Sequence, residues 1–155
     1  MICLCWNCWG VGSPRIVFAL RDYVRRWNPY LAFVMETKTN VKSMEKVKYK
    51  LGFSNGLFVP NKGRSGGLAL FWSKEVSLEI QSYSPHHIDA IISEQQNNNT
   101  WRFTGFYGHL ETHLRKESWN LLSYLSNQFS LPWFCCGDFN EILSFIEKSG
   151  GAPRS

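Results

Sequence analysis

Short apolar runs separated by turn residues dominate the chain. Ile2 to Trp6 alternates in such a run and predicts a strand. Gly10 to Pro14 reads as a turn, with Ser13 as N-cap and Pro14 at the first helical position. Ile16, Phe18, Ala19, Leu20, Tyr23, Val24 and Trp27 then recur near helical spacing, until Asn28-Pro29 ends the helix. Tyr30 to Met35 predicts a buried strand that stops at Glu36. Val41 to Leu51 reads as a lysine-rich amphipathic helix closed by Gly52. Strands at Phe53 to Val59 and Gly67 to Trp72 flank the loop Pro60 to Gly66. Val76 to Tyr83, His87 to Ser93 and Trp101 to Tyr107 alternate as strands, with a polar turn over Gln95 to Asn99. Thr112 can cap a helix reaching about Phe129, with Leu114, Trp119, Leu121, Leu122, Leu125 and Phe129 toward a core. Pro132 stops it, and Trp133 to Cys136 predicts a last strand before Gly137-Asp138-Phe139-Asn140. Lys148 to Ser155 reads as a tail. Helices alternate with strands at both ends, while the centre is strand after strand. That order predicts α/β layers with antiparallel hairpins rather than a purely parallel sheet.

Composition narrows this picture. A chain of 155 residues without repeat or linker suits one domain, 1–155. Its 44 % hydrophobic and 15 % aromatic residues exclude wholesale disorder. No apolar run reaches the ~18 residues of a membrane span, so no membrane partner is expected. The start, Met1 to Gly10, has no basic region and no unbroken apolar stretch, so it is not read as a signal peptide. Five cysteines, an odd count, then point to reduced thiols and an intracellular protein. The net charge of +5 is compatible with a polyanionic partner. Nothing points to a protein partner.

Several familiar patterns fail on context. Gly63-Arg64-Ser65-Gly66-Gly67 fits G-x-S-x-G, but a nucleophile elbow needs a helix next, and Leu68 to Trp72 reads as a strand. His109-Leu110-Glu111-Thr112-His113 has its glutamate one place too late for a zinc helix. Cys3, Cys5 and Cys8 lack the second half of a zinc site at a usual spacing. Adjacent Cys135 and Cys136 point to opposite strand faces.

One constellation holds together. Three apolar strands end in polar residues: Asn7, then Glu36, then Asp138 with Asn140. Sites in layered α/β folds commonly lie beyond strand ends. Carboxylates with amide partners favour a hard, oxygen-liking cation such as Mg²⁺.

Trp6-Asn7-Cys8-Trp9-Gly10, Glu36-Thr37, Gly66-Gly67-Leu68-Ala69, Phe106-Tyr107-Gly108 and Gly137-Asp138-Phe139-Asn140 resemble the ordered motifs of the endonuclease/exonuclease/phosphatase superfamily. The wording of Val24 to Pro29, Ser65 to Trp72 and Trp133 to Leu143 is similar to endonuclease domains of plant non-LTR retrotransposons. The resemblance implies a four-layer α/β/β/α sandwich of two mixed sheets with helices outside. It implies Mg²⁺- or Mn²⁺-dependent cleavage of nucleic-acid phosphodiesters, DNA as partner, and a nuclear location. By motif, Glu36 would bind the metal and Asn7 would help to orient it. Asp138 would orient or activate the attacking water. Asn140 would hold the phosphate or Asp138, and Tyr107 would contact the phosphate. Gly66 and Gly67 would allow a tight backbone turn nearby. Lys62, Arg64 and Arg102 are the candidate nucleic-acid contacts.

The chain also departs from the family. Trp9 stands where retrotransposon relatives usually show Arg, and Leu110 where Pro is usual. The family continues beyond Gly-Asp-Phe-Asn to a further Asp and a Ser-Asp-His, and neither His86, His87, His109 nor His113 lies in that context. The resemblance therefore implies the N-terminal two-thirds of a domain, incomplete at the C-terminus, and a weak or inactive remnant. A non-catalytic basic module using Arg21, Arg25, Arg26, Lys62, Arg64 and Arg102, or a pseudogene product, is the alternative.

Overall fold

A computed structural model of the chain describes residues 1–141 and Ser149. The expected tail, apart from Ser149, lies outside the described residues. Strand β1 is Cys3–Asn7, followed by helix α1 at Pro14–Trp27 and β2 at Leu31–Met35. Helix α2 is Val41–Leu51, and β3 and β4 are Asn55–Val59 and Leu68–Trp72. Strands β5, β6 and β7 are Val76–Ser84, His87–Glu94 and Thr100–Tyr107. A 3₁₀ turn at Thr112–Leu114 leads into α3 at Arg115–Ser126, and β8 is Trp133–Asp138.

Local chemistry accounts for the boundaries. Pro14 opens α1, and Ser13 precedes it in extended backbone without a side-chain cap bond. The Asn40 side chain caps α2 by accepting the Ser43 N–H at 2.9 Å, and Gly52 ends that helix with a left-handed φ of 81°. The strands form two four-stranded sheets, in the orders β1-β2-β4-β3 and β5-β6-β7-β8. β1–β2 and β7–β8 pair in parallel, and the other ladders are antiparallel.

The period of two divides each strand between two cores. Ala32, Val34, Ala69 and Phe71 face Val17 and Leu20 of α1 and Met44, Val47 and Leu51 of α2. Leu31, Phe33, Met35, Leu68 and Leu70 face Ile88, Ile92 and Phe103 of the second sheet. α3 covers the far side of that sheet. The order is helices, sheet, sheet, helix, which is the expected four-layer α/β sandwich.

Three expectations are corrected. Thr112 does not cap α3; it begins the 3₁₀ turn, and Leu114 takes the N-cap position without a side-chain bond. Of the apolar residues expected to face the core from this helix, Leu125 alone is fully buried, while Trp119 and Phe129 are exposed. Arg102 is not a surface cation either: it is 1 % exposed. It lies on the outer side of β7 beneath α3, so the helix covers it. Its Nε donates to both oxygens of Asp89 at 2.9 and 3.1 Å, and its Nη1 donates to the Leu125 carbonyl. Phe129 and Trp133 close over the guanidinium with ring centroids 5.2 and 5.0 Å away. A buried, paired guanidinium offers nothing to a phosphate backbone.

Candidate active site

Parallel pairing carries β1 and β2 in one direction, so Asn7 ends one strand beside Met35 of the other. The same pairing of β7 with β8 puts Tyr107 opposite Asp138. The two sheets face each other, and these four strand ends converge. Asn7 Nδ2 donates to Asp138 Oδ2 at 3.2 Å, across 131 residues of sequence. The Tyr107 hydroxyl donates to Glu36 Oε1. Burial pushes the Tyr107 phenol well above its ordinary range, and the hydrogen bond to Glu36 and the charges of Glu36 and Asp138 act the same way. Tyr107 therefore stays protonated and donates.

The Gly137–Asn140 turn positions its own carboxylate. The Asn140 N–H donates to Asp138 Oδ1 at 2.9 Å, and Asn140 Nδ2 donates to the Gly108 carbonyl at 2.7 Å. The Gly108 N–H returns a bond to the Asp138 carbonyl at 2.8 Å. Gly137 has φ 150°, and a Cβ there would run into the Phe106 carbonyl oxygen, so only glycine fits this turn. On the other wall, the Thr37 and Lys38 N–H groups donate to the Gly67 and Gly66 carbonyls at 3.1 and 3.0 Å. Gly67 has φ 93°, and an added Cβ would collide with Thr37 Oγ1. The tight turn expected at Gly66-Gly67 thus seats the Glu36 loop.

Glu36 is 4 % exposed. Its Oε2 meets Lys38 Nζ at 3.5 Å. Glu36 and Lys38 both adopt left-handed backbone, with φ 55° and 52°. Asn7 Oδ1 is buried and has no hydrogen-bond partner. An orphaned amide oxygen on the residue that bonds Asp138, at strand ends that also carry Glu36, belongs to a hard-donor set that suits Mg²⁺ or Mn²⁺. Among the described residues no group of three or more His, Cys, Asp or Glu is placed to hold a metal, so such a site needs the Asn7 amide.

Residues 4–155 match the model of the Endonuclease/Exonuclease/phosphatase family. The chain belongs to this family. Enzymes of the endonuclease/exonuclease/phosphatase family are generally dependent on a divalent metal. Solved structures agree on the fold. A mannosyl-6-phosphatase from Bacteroides thetaiotaomicron is 15 % identical with a TM-score of 0.70, covering 89 % of this chain and 64 % of its own. The TDP2 of D. rerio complexed with single-strand DNA product is 12 % identical with a TM-score of 0.66, over 90 % of this chain and 60 % of its own. An AP endonuclease from Archaeoglobus fulgidus is 16 % identical with a TM-score of 0.66, over 96 % of this chain and 60 % of its own. The chain therefore spans less than two thirds of these three structures. A search of curated proteins finds no significant match.

The structure brings Asn7, Glu36, Tyr107, Asp138 and Asn140 together. Lys62 and Arg64 lie on an exposed hairpin in which Lys62 pairs with Ser65. Lys62 does line a cavity of about 240 Å³ shared with Gly66, Gly67, His86, Tyr107 and His109. Arg102 is excluded by its burial. Lys38 and His86 escaped the sequence reading. His86 Nδ1 donates to the Tyr107 carbonyl at 2.7 Å, and its ring stacks on His109 with centroids 3.7 Å apart. A cation two places after Glu36 was a readable sign for Lys38. His86 had none, because its partner is a backbone carbonyl 21 residues away.

Proposed function

We propose that the chain carries a metal-dependent phosphodiesterase centre of the retrotransposon DNA-endonuclease type, and that these 155 residues alone form a weak or inactive remnant of it. The observation that carries the reading is the convergence of Asn7, Glu36, Tyr107 and Asp138 from four strand ends, with the Asn7 oxygen left unpartnered. TDP2 and the AP endonuclease, whose names point to nucleic acid, share the fold and lend support.

Glu36 and the Asn7 amide oxygen would hold the metal. When bound, it would screen phosphate charge and stabilise the leaving oxygen. Asp138 accepts bonds from Asn7 and from the Asn140 N–H, which hold it to orient an attacking water. Tyr107, kept protonated, offers its hydroxyl to a phosphate oxygen. Lys62 on the hairpin supplies positive charge beside that position. The family's Ser-Asp-His is not found in these 155 residues, so they supply no such proton-transfer partner by themselves. General acid–base help is typically worth about 10²–10⁴-fold.

Nicking of supercoiled DNA with Mg²⁺ or Mn²⁺ tests the reading. The expected result is a rate about 10²–10⁴ below that of an intact relative, lost in Glu36→Ala and in Asp138→Ala. Nicking that survives both substitutions overturns the assigned centre. Full-speed cleavage lost in both would keep the centre and reject the remnant.

A further inference from the structure

Beyond Met35 the chain does not continue as a strand. Glu36 and Lys38 are both left-handed, and Thr37 between them is fully buried. This bend makes side chains two places apart converge. Lys38 Nζ lies 3.5 Å from Glu36 Oε2, while the Tyr107 hydroxyl occupies Oε1. Both oxygens of Glu36 are therefore engaged within the chain itself. On its other side, the same ammonium lies 4.7 Å from the ring centroid of Trp9. Trp9 is also left-handed, with φ 55°, and it is 74 % exposed. The Lys38 stem runs past Gly10, where an added Cβ would sit 3.7 Å from its Cδ. Lys38 thus spans two cation receptors, a carboxylate and an indole face.

We propose that Lys38 is the resident counter-ion of Glu36, that a divalent cation displaces it, and that the Trp9 indole receives the displaced ammonium. This rests on the reading of Glu36 as a metal ligand. Two cations cannot share Glu36 Oε2 without repulsion, so metal entry requires Lys38 to move. The lysine is 30 % exposed at its side chain, so its ion pair is a weak one that a doubly charged ion outcompetes. The face of Trp9 is already in contact and holds a cation without neutralising it. Lys38 lowers the metal affinity of the site, and Trp9 recovers part of that loss.

The test is a Mn²⁺ titration of the full chain without DNA, reading free Mn²⁺ by electron paramagnetic resonance. Glu36→Gln should weaken binding at least about tenfold, as loss of a charged ligand. Lys38→Met should tighten it about two- to fivefold, and Lys38→Arg should restore wild-type affinity. Trp9→Leu should weaken it about two- to fivefold in the wild type and not at all in the Lys38→Met background. Circular dichroism confirms folding, and Lys38→Gln serves if the methionine variant fails to fold. If Lys38→Met and Lys38→Gln leave affinity unchanged or lower it while Glu36→Gln still weakens binding at least about tenfold, the counter-ion proposal falls and the metal site stands. An equal Trp9→Leu effect in both backgrounds removes the indole's part. If neither the wild type nor Lys38→Met binds Mn²⁺, the metal reading itself falls.

Discussion

At the scale of the residue, neighbouring groups set the chemistry more than residue type does. The five thiols illustrate it. Burial raises Cys3 and Cys8 above the ordinary thiol value, and pushes Cys135 up to about 11. Cys5 moves the other way, because the Cys136 thiol donates a hydrogen bond to it, and that outweighs partial burial and the charge of Asp138. A lowered value means more thiolate at a given pH, and thiolate is the reactive form. Cys5 is also the exposed member of the set. Iodoacetamide near neutral pH should therefore label Cys5 first, as read by peptide mass mapping. Cys136→Ala removes the donor and should slow Cys5 labelling. Prior labelling of Cys135 would contradict this assignment. Asn7, Glu36, Asp138 and Asn140 were legible from sequence because each ends an apolar strand or lies just past one, and because together they stand in motifs that resemble the family's. Lys38 was less so, since strand alternation stops applying once the backbone turns left-handed at Glu36.

At the scale of the element, α3 decides the fate of Arg102. Alternation along β7 puts Arg102 and Thr104 on one face and Phe103 on the other, and a sheet with one solvated face would leave the arginine free. Here both faces are covered. Arg102 and Thr104 both donate to Asp89, and α3 supplies the Leu125 carbonyl. The sequence pattern could show the alternation but not the cover. For the same reason the apolar face of α3 was overestimated: the helix packs over a polar network rather than a hydrocarbon surface, so Leu125 and Ser118 are buried and Trp119 is not. Arg102→Met strands the Asp89 carboxylate in the interior. Breaking a buried pair this way costs about 3–5 kcal/mol. The urea midpoint should fall accordingly, with part of the loss recovered in the Arg102→Met, Asp89→Asn double variant. A midpoint within error of the wild type would mean that the pair is dispensable.

At the scale of the whole molecule, β1 and β8 end their sheets on the same side, and apolar surface gathers there. Trp101, Trp133 and Phe134 line a cavity of about 580 Å³ with Met1 and Cys3. Trp133 and Phe134 are exposed among the described residues. Strand edges that are unpaired among the described residues, beside apolar side chains, favour self-association. Sedimentation velocity should show concentration-dependent oligomers, reduced by the Trp133→Lys, Phe134→Lys double variant. A strictly monomeric wild type would refute this. The division of the sheets has a consequence in time. Among the described residues, 3–72 hold the strands of the first sheet, and 76–138 those of the second. On the ribosome, the first sheet and its two helices are complete before the second begins. The bond from Asn7 to Asp138 joins nearly the first strand residue made to the last. At about 5–20 residues per second, roughly 10 s of synthesis separate them. The nascent chain therefore carries a finished half-scaffold, with the inner face of its sheet uncovered, long before it has a site. The convergence of Asn7 with Asp138 comes late in the making of the described residues.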